Sequence, residues 1–379
     1  MNARLTFSTL LIFFTTVLFA QTDSFDKKFS EHFGNVEVAT FSMNGKIFAT
    51  GGWDNMVNVY SGDSQELVSS LYGHGGAVTS ISIARNNEMI VSGGKDRKVN
   101  LWLWDTLEQY FVLDTTVAIH QQPISKVIVG PGMRTIFSAS TDGEIHINNL
   151  KSKKSKVIKH NSEIHSIAIS NNRQKIYVAD LTTALTIYNP FGKVITTYEG
   201  HSDQINCIAV ARNNRFVVTG SSDKTIIVWD VMKGKKHMQL EGHDWKVRSV
   251  DISFDSKFMV SGSIDGVCIL WNLQTGEQIK KFSVSNGQVK SVAISPNGEY
   301  IVAAIAFEDH PDFGETGAVI WKTGHVAPKR KARPKSKAKP SGKSASSKKS
   351  NSSSEAKTKG NGQSGKVIKK DDQIEISIE

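Results

Sequence analysis

Eleven histidines are the first residues in this 379-residue chain that invite a chemical reading. Neutral imidazoles hold transition metals and move protons near neutral pH. Six of them, His32, His74, His120, His160, His201 and His243, recur at intervals of 40 to 46 residues. An aspartate series, Asp54, Asp96, Asp142, Asp223 and Asp265, runs parallel to them. A catalytic or metal centre needs such groups to converge on one point. Recurrence at a fixed interval gives each repeat its own copy instead, so both series are read as structural. No convincing pair of carboxylates stands outside them for glycosyl or phosphoryl chemistry. The chain also has no Gly-x-Ser-x-Gly, no phosphate-cradling glycine loop and no His-Glu-x-x-His. The reading is of a non-enzyme without metal or cofactor.

The elements that position these residues follow from the repeat. Aligned on the first apolar residue of each alternating stretch, seven units begin at Val36, Val78, Ile124, Ile164, Ile205, Val247 and Val289. Successive spacings are 42, 46, 40, 41, 42 and 42 residues, inside the period of four-stranded blades. Stretches such as Val78-Thr79-Ser80-Ile81-Ser82-Ile83 alternate with period two and are rich in β-branched residues, which predicts strands with one buried face. Asn86-Asn87, Asn213-Asn214 and Pro296-Asn297-Gly298 supply turns. Twenty-four residues after each of the first six starts stand Tyr60, Trp102, Asn148, Tyr188, Trp229 and Trp271; the seventh, Trp321, comes after 32, so the last unit carries eight extra residues.

Two units show the motif most fully: Gly200-His201 through Ser222-Asp223 to Trp229-Asp230, and Gly242-His243 through Ile264-Asp265 to Trp271-Asn272. The register over about Phe25 to Lys322 closely resembles the WD-repeat family of β-propellers. The resemblance implies a hydrogen-bonded His–Ser/Thr–Asp–Trp chain in each blade. It is complete here in His74-Ser92-Asp96-Trp102, His201-Thr219-Asp223-Trp229 and His243-Ser261-Asp265-Trp271. Blade 1 (His32, Thr50, Asp54, Tyr60) swaps only the ring. Blade 4 has Val178 and Thr182 at the middle positions and blade 7 has Ala303 and Glu315, with Ser285 in place of the histidine; these two are expected to be looser. The fold is therefore expected to be all-β, a seven-bladed propeller of four-stranded antiparallel blades over residues 21–323. No outer strand follows Trp321, so Ser24–Glu31 is expected to close the ring as a strand clasp, leaving no free edge.

Two appendages flank the repeats. Met1–Ala20 has Arg4, an apolar run and a small residue at its end, the pattern of a secretory signal peptide and shorter than a permanent span needs. From residue 324 composition changes. Residues 326–379 hold 15 Lys or Arg against 5 Asp or Glu, so the whole excess charge of +10 lies there and the propeller is neutral. This Lys- and Ser-rich tail is expected to be disordered. It reads equally as a solvated tether or as a reversible attraction to anionic surfaces or nucleic acid. The two cysteines, Cys207 and Cys268, fall in different blades and are expected to be buried free thiols.

The resemblance also implies where partners are met: on the loops bearing the His and the Asp, flanking the inner strands. Carried onto this sequence, the contact positions are Glu37, Trp53, Lys95, Trp245, Lys246, Arg248 and Lys290, with Phe307 and Phe313 from the extra segment of blade 7. Blades 6, 7, 1 and 2 thus form the expected rim, and exposed Trp and Arg are the types that dominate interface energetics. The expected function is a non-catalytic protein- or peptide-binding scaffold of the cell envelope or exterior. Two alternatives stand beside it: an intracellular, nucleic-acid-associated assembly factor using the basic tail, and an envelope hydrolase or lyase with its site in the propeller channel. Oligomeric state is not legible.

Overall fold

The computed structural model describes residues 25–284, 287–306 and 317–324; Phe307, Phe313, the predicted signal peptide and the basic tail lie outside them. Among the described residues, twenty-eight strands pair into seven four-stranded antiparallel sheets. Each blade runs outward from an inner strand: in blade 2, Val78–Ile83, Met89–Gly94, Lys98–Asp105 and Tyr110–Ile119. Inner strands of successive blades touch all the way round, and that of blade 7 returns to that of blade 1. The expected clasp forms: Lys27–Phe29 pairs with Gly317–Lys322, matching Lys27 to Ile320 and Phe29 to Ala318. A blade assembled from both ends of the ring leaves no open sheet edge at the closure.

The burial pattern explains the sequence pattern. In blade 5 every residue of the second strand, Phe216–Ser221, and of the third, Ile226–Asp230, is buried, whereas the outer strand Lys235–Leu240 is mostly exposed. The middle strands are covered on both faces by neighbouring blades, so they read as nearly continuous apolar runs, while outer strands meet water and carry lysines. Between blades the approach is close. A Cβ on Gly262 would stand 2.6 Å from Cγ1 of Val289 in the next inner strand, and one on Gly220 would stand 2.5 Å from that of Val247. The matching positions of blades 3, 4 and 7 are Ala139, Ala179 and Ala304, all fully buried. Hydroxyls join adjacent inner strands as well: Ser80 accepts from the Val127 N–H and Ser249 from that of Val292, each at 3.0 Å.

Among the described residues no helix is long and apolar enough to cross a membrane. Both cysteines are buried free thiols, and burial pushes the Cys207 thiol up to about 12.

Candidate functional site

The loops of one face are fastened by the repeated His–Asp pairs. His74 Nδ1 lies 3.0 Å from Asp96 Oδ2, its Nε2 lies 2.7 Å from Ser92 Oγ, and the Trp102 indole donates to the same hydroxyl at 2.7 Å. The equivalents are His201–Asp223 at 2.8 Å with Thr219 and Trp229, and His243–Asp265 at 3.0 Å with Ser261 and Trp271. Each aspartate also accepts two backbone N–H groups; Asp265 takes those of Asp244 and Val267, both at 2.9 Å. The following residue adopts a left-handed conformation, as at Arg97 (φ 70°) and Lys224 (φ 71°), so the bonded carboxylate holds a turn that most side chains resist. Burial works against the charge on these aspartates, but the histidine and backbone donors outweigh it and hold Asp96, Asp223 and Asp265 below the ordinary carboxylate range.

Four blades depart from this pattern. In blade 1 His32 binds Asp54 and Thr50 at 2.8 Å, and the Tyr60 hydroxyl donates to Glu31 at 3.0 Å. Blade 3 keeps His120 with Ser138 and Asp142, but Asn148 replaces the tryptophan and its buried Nδ2 has no partner among the described residues. The His146 ring stacks on His120 with centroids 3.8 Å apart. Blade 4, expected to be loose, is rewired instead: His160 Nε2 meets Asp180 Oδ2 and its Nδ1 meets the Tyr188 hydroxyl, both at 2.7 Å. Asp180 lies two residues before the position assigned from the repeat and turns the imidazole end for end. In blade 7, Ala303 offers no hydroxyl, and the buried Trp321 indole N–H has no partner among the described residues.

These anchored turns place the predicted contact residues. Trp53 is 53% exposed, donates its indole N–H to Glu37 and lies under the Lys95 ammonium, 4.4 Å from the ring centroid. Trp245 is 58% exposed with Lys224 of blade 5 at 5.6 Å over its ring. Lys246 and Arg248 are exposed beside it, and half-buried Lys290 donates to Gln288 at 2.8 Å. Glu37, Lys95, Arg248 and Lys290 share the mouth of a central cavity of about 460 Å³. The two tryptophans and Lys246 stand outside that lining, and Phe307 and Phe313 lie outside the described residues.

Three channel residues escaped the sequence reading. Lys126 and His165 line the same cavity. Asp251 lines the opposite end of the channel, its carboxylate oxygens accepting from the Ile252 and Ile294 N–H groups at 2.8 and 3.0 Å. Burial pushes Asp251 up to about 6, against the pull of those bonds and of Lys126; burial likewise lowers the Lys126 ammonium, partly offset by Asp251. The signal was available: Lys126 occupies the register position of Ser80, Ser249 and Ser291, and Asp251 that of Ser82. No group of three or more His, Cys, Asp or Glu among the described residues is placed to hold a metal ion.

Comparison with known proteins gives matches to the WD domain, G-beta repeat model at residues 24–61, 65–102, 192–230, 234–272 and 276–310. Asn148 and Tyr188, which stand in place of the tryptophan in blades 3 and 4, fall in the unmatched interval. Among curated proteins the chain is similar to Actin-interacting protein 1 of Drosophila melanogaster, 30% identical over 190 residues, 47% of this chain and 30% of that protein. It is also similar to a guanine nucleotide-binding protein subunit beta of Oryza sativa subsp. indica, 29% identical over 119 residues, 28% of this chain and 31% of the relative. A shorter similarity, 40% over 53 residues, joins 14% of the chain to 10% of human Pleiotropic regulator 1. The matched segments therefore span a third or less of each relative's length.

Proposed function

Because the chain belongs to the WD40-repeat family, we propose that it is a non-catalytic scaffold presenting the rim of blades 6, 7, 1 and 2 to a protein or peptide partner. The observation that carries this reading is the pair of half-exposed tryptophans, Trp53 and Trp245, each set against a lysine of a neighbouring blade. Rings held this way offer a large apolar area at little further entropic cost on binding. Closure of the ring and the His–Asp anchors fix the loops beforehand, so complementarity rather than folding sets specificity. A relative named as actin-interacting is in keeping with a protein-binding role.

Location in the cell envelope or exterior belongs to the same proposal and rests on the pattern of Met1–Ala20; N-terminal sequencing of the native protein tests it. The basic tail is assigned an accessory, salt-sensitive attraction to anionic surfaces. The rim is tested by cross-linked pull-down with the full chain, a Trp53→Ala/Trp245→Ala variant and a chain ending at Thr323. Loss of a partner with the double variant alone supports the rim; loss on truncation alone makes the propeller a spacer for the tail and overturns the reading.

A further inference from the structure

Around the channel the second residue after each inner-strand start forms a ring: Val38, Ser80, Lys126, Ser166, Cys207, Ser249 and Ser291. Six are neutral and Lys126 alone is charged. Lys126 is half-buried on the wall of the central cavity, and Asp251 is the carboxylate that favours its charge. Beside it the Ser125 hydroxyl is buried without a hydrogen-bond partner among the described residues. Both line the central cavity. A buried hydroxyl left unsatisfied costs free energy unless a partner arrives from outside. The remaining charged lining adds to the demand. Lys95 and Arg248 line the cavity with one carboxylate, Glu37, which already receives the Trp53 indole. Asp251, towards the other end of the channel, offsets part of the Lys126 charge while accepting from the Ile252 and Ile294 N–H groups.

We propose that this mouth is an acceptor site for the carboxylate of an Asp or Glu side chain carried by a partner's acidic peptide segment, with Ser125 and Lys126 as its inner donors and Arg248 at its entrance. The inference rests on the rim reading, whose face it shares, and adds the partner's chemistry to it. The size of the site favours a peptide side chain over a nucleic acid. About 460 Å³ suits a compact ligand such as a short peptide segment, whereas a nucleic acid strand needs cations tracking many phosphates along a groove. Arg248 matches a planar carboxylate in two-pronged fashion.

The test uses the full chain and three photo-crosslinking probes: a hexaglutamate peptide, its hexaglutamine counterpart and a short oligothymidylate. Crosslinked peptides are mapped by mass spectrometry, which separates the mouth from the basic tail. Hexaglutamate is expected to mark inner strands Ile124–Val129 and Val247–Ile252, and Lys126→Met or Arg248→Gln is expected to cut that yield about tenfold. Ser125→Ala, which removes a single oxygen, gives a second variant should Lys126→Met unfold. Crosslinks confined to the tail, equal marking by hexaglutamine, or preferential marking of the mouth by the oligothymidylate each overturn the proposal. Should partner capture survive Trp53→Ala/Trp245→Ala while mouth crosslinks persist, the rim reading fails and the site stands. Should capture be lost and the mouth stay unmarked, the reverse holds.

Discussion

The Lys95 ammonium lies 4.4 Å over the Trp53 ring, and the indole N–H of that ring is held by Glu37. One exposed tryptophan is thereby fixed at its face by blade 2 and at its edge by its own blade. Cation–π contacts of exposed groups contribute about 0.5–1 kcal/mol, enough to bias the rotamer and too little to matter for the fold. Trp53→Ala should therefore leave the unfolding midpoint within about 3 °C of the parent by calorimetry. Partner affinity should fall by about 2 kcal/mol or more.

Blade 7 leaves a hydrogen bond unmade. Ala303 stands where blades 2, 5 and 6 have Ser92, Thr219 and Ser261, and the buried Trp321 N–H has no partner among the described residues. Ala303→Ser supplies the acceptor by adding one oxygen. We expect about 1 kcal/mol of stabilisation, a midpoint about 2–4 °C higher. A lower midpoint means that the site has no room for the hydroxyl.

Blade 4 makes the opposite test. His160 is held by Asp180 and Tyr188, each at 2.7 Å. Tyr188→Phe leaves one imidazole nitrogen unpaired and should cost about 1 kcal/mol by denaturant titration. His160→Ala should cost more.

The anchoring aspartates set the acid limit. Asp96, Asp223 and Asp265 hold their folded values below the ordinary 3.8. Their stabilisation is complete above about pH 4 and is lost as pH falls through the lower folded values. Asp251 runs the other way: its proton is held more tightly when folded, at about 6. Its contribution is complete below about pH 4 and is lost as pH rises through 6. Asp251→Ser, which installs the residue that blade 2 has at the matching Ser82, should flatten the profile between pH 4 and 6 and raise the midpoint at pH 7.5 by about 3 °C. Calorimetry across pH 3–8 reads both effects.

The ring was legible because burial repeats. Val36, Val78, Ile124, Ile164, Ile205 and Val247 each begin an inner strand, and Val289 follows one residue after Gln288 begins the seventh. The Lys27–Phe29 clasp was legible because the last unit lacked its outer strand. The pairing in blade 4 was not legible because a repeat assigns roles by fixed offset, whereas the Asp180 carboxylate reaches the same imidazole from two residues nearer. Lys126 and Asp251 are hard to read from sequence for a related reason. The contact positions carried over lay at the loops, and a lysine or aspartate deeper in an inner strand draws attention only when it is compared with the serines at its level in other blades.

The rim is tested most directly by quantifying partner capture with Trp53→Ala/Trp245→Ala against Phe191→Ala/Met232→Ala. The second pair is exposed in turns after third strands, at the other end of the blades. The account predicts capture reduced about tenfold or more by the first pair and unchanged by the second. Capture lost with Phe191→Ala/Met232→Ala and retained with Trp53→Ala/Trp245→Ala would move the working surface to the opposite face and contradict it.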